Sequence, residues 1–285
     1  MTDTHTPART PRRLVWTGAG LPASDGAGVK LSRIIGQPAL PDLDPFLMLD
    51  AFGSDDPAAY IAGFPSHPHR GFETVTYMLA GRMRHKDNAG NEGLLGPGSV
   101  QWMTAGRGIV HSEMPEQESG LMEGFQLWVN LPAKDKLCPP KYQDIAAAQV
   151  PEVRLEGGAI AKVLAGQVAG VRGPVDPGAT QPIFLDLRLP AGSATTVPLP
   201  EGHNAFVYVF EGAAEVGEAA ERLPAGRIGV LSTGSEARLA SASGGRLILV
   251  AGKPLREPIA KHGPFVMNTR AELVQAFEDY QAGRF

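Results

Sequence analysis

Two short runs in the sequence hold the side chains best suited to bind a metal ion: His67-Pro68-His69 and His111-Ser112-Glu113. In each run one residue separates two donors. On an extended strand residues i and i+2 project from the same face, so each run offers its donors together. If the two strands are neighbours in a barrel, three imidazoles and a carboxylate close around one ion. Glu73 shares the parity of His67 and His69 and is a further donor candidate. A nitrogen and oxygen set of this kind suits Fe(II), Mn, Ni, Cu or Zn, and the lack of a thiolate argues against a structural zinc site. An open coordination position would make the centre catalytic. A lone HxH pair is more often a surface or core feature. Two pairs with strand and turn signals between them favour the metal reading.

The elements that must position these donors read as antiparallel strands. From Val29 to about Val129, short β-branched or aromatic runs alternate with turn clusters such as Asp87-Asn88-Ala89-Gly90-Asn91 and Gly96-Pro97-Gly98. The stretch from Ala133 to about Gly178 is less regular and carries five prolines. It is expected to hold the connection between halves and some strands crossing over. From Gln181 the strand rhythm resumes, and Thr269-Arg270-Ala271-Glu272 has capping-box spacing ahead of Leu273, Val274, Phe277 and Tyr280 at helical intervals. The pattern predicts one C-terminal helix packed by its apolar face on a sheet.

A weak internal repeat runs through the chain. Residues 75–81 (VTYMLAG) resemble 206–212 (FVYVFEG), and the turns 95–98 (LGPG) and 223–226 (LPAG) follow in the same order. Carried across the repeat, His67 falls on Pro198, His69 on Pro200, Glu73 on Asn204, His111 on Leu239 and Glu113 on Ser241. One half is therefore expected to hold a site and the other to be its structural partner. The remaining histidines, His5, His85, His203 and His262, read as structural or solvated, the last two lying in the half without a site.

Composition narrows the function classes. With 35 Gly and 25 Pro in 285 residues the chain favours turns and β structure over long helices. Its net charge of −4, with both signs interspersed, offers no basic face for a nucleic acid or an anionic membrane. Cys138 is the single cysteine, so no intramolecular disulfide or CxxC site exists, the thiol reads as inert, and a cytoplasmic setting fits. Arg12 and Arg13 superficially match a twin-arginine export signal, but no continuous apolar run follows them. No segment has the length and apolarity of a membrane span.

Five segments together resemble the pirin family: HPHRGFETV at 67–75, QWMTAGRGI at 101–109, DPFLMLD at 44–50, QLWVNLP at 126–132 and HGPFVMNT at 262–269. Only the N-terminal tail and the region near 150–180 are uninformative. The resemblance implies an all-β fold of two cupin-type β-barrels, a bicupin, with a short C-terminal helix. The expected division is a disordered tail at 1–13, a metal-binding barrel at 14–135, and a barrel without metal at 136–285 that ends in the helix. The resemblance assigns one mononuclear metal ion, Fe(II) first, to His67, His69, His111 and Glu113. Other cupins use the glutamate of the first motif, which keeps Glu73 as an alternate ligand or a support behind the ligands.

The activity the resemblance implies is an Fe(II)-dependent dioxygenase that takes O2 and a small aromatic substrate, opening flavonols such as quercetin, with Glu113 as ligand and general base. The competing expectation is a non-enzymatic regulatory protein whose metal controls binding to a transcription factor or a metabolic enzyme. Phe46, Met48, Phe52 and Trp128 are the candidates to line the pocket, each with plain core membership as the alternative.

Overall fold

The computed structural model describes residues 9–176 and 178–285. Nearly all of its regular structure is strand, and the chain forms two compact units. The first, called the metal-side unit because it holds both candidate donor runs, consists of Gly20–Pro151, Gly173–Gln181 and Pro254–Phe285. The second unit takes the described residues up to Ala19, Glu152–Arg172 and Pro182–Lys253.

In the metal-side unit a seven-stranded antiparallel sheet runs in the order Lys141–Ile145, Val100–Thr104, Phe72–Ala80, Met122–Asn130, Phe46–Ser54, Val29–Ile35, Leu21–Asp25. Phe72–Ala80, FETVTYMLA, is rich in β-branched and aromatic residues, and its first seven are buried on both faces, as befits an inner strand. A four-stranded sheet, Phe64–His69, Ile109–Pro115, Met83–Asp87, Glu92–Leu95, lies against it. Phe64, Met83 and Leu95 of the smaller sheet pack with Leu31, Phe52, Met78 and Met122 of the larger one. The chain passes from one sheet to the other at Gly71, whose φ of 86° suits glycine and whose position leaves no room for a side chain: a Cβ there would lie 2.0 Å from the Val266 carbonyl oxygen.

The C-terminal helix, Arg270–Gln281, starts at the expected capping box: Glu272 N donates to Thr269 Oγ1 at 3.2 Å and Thr269 N donates to Glu272 Oε2 at 2.7 Å. Leu273, Ala276 and Phe277 pack on Phe265 and Met267 of the hairpin Ala260–His262/Phe265–Met267, while Val274 and Tyr280 are exposed. The helix secures the residue next to His69. Arg70, buried, donates to the Arg107 carbonyl and to Asp279 Oδ2 at 2.7 Å, with its guanidinium over the Phe285 ring. An Arg70→Met variant is expected to lose about 2 kcal/mol of stability in urea unfolding, since it strands these partners.

The second unit repeats the central arrangement. Asn204–Val216 lies between Arg227–Leu231 and Gly245–Gly252, as Phe72–Ala80 lies between Val100–Thr104 and Met122–Asn130, so the sequence repeat corresponds to a repeated sheet. Its core is aliphatic, with Val197, Leu199, Val207, Ala237, Leu239 and Leu249 buried together. Leu239 stands where the repeat places the counterpart of His111.

The units differ from the expected division at 14–135 and 136–285. Leu14–Ala19 pairs with Arg227–Leu231 and belongs to the second unit, whereas Lys141–Ile145 pairs with Val100–Thr104 and belongs to the metal-side unit. The C-terminal helix also belongs to the metal-side unit. Hydrogen-bonded pairing between strands distant in sequence overrides chain order. Of the expected disordered tail, residues 1–8 lie outside the described residues, and the rest is anchored. Arg12 is buried and donates to the carbonyl oxygens of Gly234, His203 and Pro200 at 2.7–2.9 Å.

Candidate metal centre

Both donor runs lie on adjacent strands of the four-stranded sheet, in the register that brings them together. His111 pairs with His67 and Ile109 with His69, and a bulge between His111 and Glu113 places Glu113 opposite Phe64. On Ile109–Pro115 the alternation is clean: Ile109, His111 and Glu113 are buried while Val110 and Ser112 are partly exposed. Candidate ligand atoms of His67, His69 and His111 all lie within 4.8 Å of one another.

The imidazoles converge in a way that suits a common ion. His67 Nε2 is 3.0 Å from His69 Nε2, and two bonds of about 2.1 Å at a right angle separate their donors by about 3.0 Å. His67 Nδ1 meets the Pro65 carbonyl oxygen at 2.8 Å, which assigns the proton to Nδ1 and leaves Nε2 its lone pair. His111 Nε2 is buried without a hydrogen-bond partner, and metal coordination would satisfy it. Burial, and after it the neighbouring imidazoles, holds the pKa of His69 and His111 well below the ordinary histidine value, so both are neutral and available as ligands. The donor set fits a divalent ion that accepts nitrogen ligands.

Glu113 lies in the same cavity, tied to the larger sheet. Thr76 Oγ1 donates to its Oε1 at 2.9 Å and Gln126 Nε2 to its Oε2 at 3.0 Å. A cavity of about 820 Å³ opens beside these groups. His67, His69, Glu113 and Gln126 line it together with the charged Asp25, Arg33, Asp50 and Lys261, and Leu31, Met48, Phe52, Phe64 and Trp128 supply apolar wall. That volume lies in the range of small-molecule sites. Met48, Phe52 and Trp128 thus line the pocket as well as packing. Phe46 does not, because the register shift at Trp128/Val129 interrupts the alternation before it, and it is fully buried.

Glu73 is not part of the cluster. The turn at Arg70-Gly71 separates its strand from His67 and His69, so their shared parity does not carry across. On Phe72–Ala80 it alternates with Thr74 and Thr76, and its Oε1 accepts from Thr104 Oγ1 at 2.7 Å. Burial raises its pKa.

His85 is the member that sequence reasoning missed. Read from sequence as structural or solvated, it is 1% exposed on Met83–Asp87, opposite Glu113 in the ladder, with its Nδ1 3.3 Å from His111 Nδ1. His262, assigned to the half without a site, instead lines the cavity with Lys261 and Pro264 on the C-terminal hairpin. His5 lies outside the described residues, and His203 is buried in the second unit. Burial, followed by the charges of Asp135 and Glu73, pushes the Cys138 thiol up, in keeping with an inert cysteine.

Comparison with known proteins decides the family. The Pirin family model matches residues 28–129 and the Pirin C-terminal cupin domain model matches 184–285. The chain belongs to the pirin family. It is 55% identical over 269 residues to a Pseudomonas aeruginosa protein provisionally named quercetin 2,3-dioxygenase, covering 93% of this chain and 94% of that protein. A Pirin-like protein of Caulobacter vibrioides is 50% identical over 267 residues, covering 93% and 96%. The crystal structure of a quercetin 2,3-dioxygenase from Acinetobacter baumannii superimposes with a TM-score of 0.89 at 36% identity, covering 96% of this chain and 98% of that one. Pirins are members of the cupin superfamily, and both cupin domains of the bicupin are present here. Among the described residues no helix is long and apolar enough to cross a membrane.

Proposed function

We propose that this pirin is a metal-dependent dioxygenase for small aromatic substrates of the flavonol type, with His67, His69, His111 and Glu113 holding one Fe(II) ion. The observation that carries this reading is the convergence of the His67, His69 and His111 imidazoles beside a cavity that His67, His69 and the Glu113 carboxylate line together with aromatic and aliphatic side chains. Its relatives' names point the same way. When bound, the metal would supply a Lewis acid that draws the substrate's enol oxygen and O2 together.

The protein's own groups do the rest. Trp128, Phe52, Phe64 and Met48 take the planar ring system out of water. Glu113 accepts the enol proton at a carboxylate oxygen, and Thr76 and Gln126 hold that carboxylate in one orientation while it does so. Thr76 Oγ1 also lies 2.6 Å from Gln126 Oε1, so its single proton is shared between that oxygen and Glu113 Oε1.

The test is anaerobic reconstitution with Fe(II) followed by measurement of O2 consumption on adding quercetin. Uptake that scales with bound iron supports the reading. Stoichiometric iron without O2 uptake on any flavonol overturns it and leaves a metal-dependent binding protein as the better account.

A further inference from the structure

We infer that His85 is a positioning residue for the metal centre: it accepts the Nδ1 proton of His111 and so supports and orients the tautomer whose Nε2 is free as a ligand. The inference rests on the metal-site reading above. A contact between two Nδ1 atoms at 3.3 Å needs one proton, carried by one ring or the other. If His85 donates, the neutral His111 ring carries its own proton on Nε2 and has no lone pair for a metal. If His111 donates, Nε2 is free and the proton of His85 moves to its own Nε2.

Both arrangements are open to the metal-free protein, because each leaves the same two ring atoms, His85 Nε2 and His111 Nε2, buried without a partner. A metal on His111 Nε2 satisfies one of them and selects the second arrangement. The scaffold keeps the two rings in place for it. His85 and His111 are each 1% exposed, their strands pair through Glu113↔His85 and His111↔Asp87, and the Tyr142 ring packs edge-on against His85 at 4.8 Å. A side chain that hydrogen-bonds the far nitrogen of a ligand histidine sets its tautomer and orientation, and losing such a partner typically weakens metal binding about 10–100-fold.

The test uses Zn(II) as a diamagnetic probe on the full chain. Long-range 1H–15N correlation spectra of the zinc-loaded wild type are expected to show protons on His111 Nδ1 and His85 Nε2. A proton on His85 Nδ1 overturns the proposal. Competition with a chromophoric chelator then compares His85→Phe, which keeps the ring volume, with His85→Asn, which keeps an acceptor near the Nδ1 position. Affinity reduced about 10–100-fold in His85→Phe and largely recovered in His85→Asn supports the assignment. Equal affinity in His85→Phe and wild type overturns it while leaving the metal site intact. Failure of the wild type to bind zinc at all overturns the metal-site reading as well. The wild-type spectrum decides the matter even if His85→Phe does not fold.

Discussion

A His111→Ala protein is expected to purify without stoichiometric metal and to show no flavonol-dependent O2 uptake, whereas Glu113→Gln is expected to retain most of its metal and lose turnover. The difference follows from what each side chain contributes. His111 comes from the strand paired with the one bearing His67, and its Nε2 has no other partner, so removing it takes away one of three converging nitrogens. Glu113 is anchored by Thr76 and Gln126, and glutamine preserves its shape while abolishing its capacity to take a proton. Loss of a general base costs about 10²–10⁴ in rate. Metal analysis by mass spectrometry beside oxygen-electrode kinetics separates the two. If Glu113→Gln turned over at the wild-type rate, proton transfer to this carboxylate would have no place in the reaction.

The same cluster makes the metal-free protein sensitive to acid. His69 and His111 have folded-state pKa values well below the ordinary value of 6.5. As pH falls below 6.5 the unfolded chain takes up protons that the folded chain refuses, and stability falls with it. The midpoint of thermal unfolding is therefore expected to drop between pH 7 and pH 5 in chelator-treated protein. A midpoint independent of pH in the metal-free protein would contradict the burial argument.

How much of this was legible in the sequence depends on the range of the interaction involved. The donor runs were readable because the period of a strand puts residues two apart on one face, and the register His111↔His67 then brings the pairs together. The C-terminal helix was readable because its cap is local. Glu73 was misplaced because parity was counted through Arg70-Gly71, where the chain leaves one sheet and enters the other. His85 carried a usable signal, since Met83, His85 and Asp87 are buried while Lys86 points to solvent. The charged neighbours Arg84, Lys86 and Asp87 masked that alternation. The composition of the units was out of reach, because nothing local in Leu14–Ala19 specifies Arg227–Leu231 as its partner.

Lys136 is the strongest case of a residue whose weight the sequence conceals, and a Lys136→Met variant is expected to lose about 3 kcal/mol of folding stability. The expected boundary made it the first residue of the second barrel. It is instead 1% exposed inside the metal-side unit, where Nζ donates to the Gly71 carbonyl at 2.8 Å, Asn130 Oδ1 at 2.7 Å and the Val266 carbonyl at 3.0 Å. One ammonium thus ties the turn after His69 to the end of Met122–Asn130 and to the C-terminal hairpin. Methionine fills a similar volume but leaves three buried acceptors without this donor, and each unsatisfied group costs about 1–3 kcal/mol before relaxation. Burial lowers the Lys136 pKa from 10.5 to about 8. Below pH 8 the folded and unfolded chains both carry the charge, and its desolvation opposes folding in full. Between pH 8 and 10.5 the unfolded chain holds the proton more tightly, so wild-type stability gains with rising pH relative to the variant. Urea unfolding of both proteins at pH 7 and pH 9.5 reads the two effects together. The stability gap is expected to be present at pH 7 and wider at pH 9.5, and a variant as stable as wild type at both would show that these three hydrogen bonds do not hold the unit together.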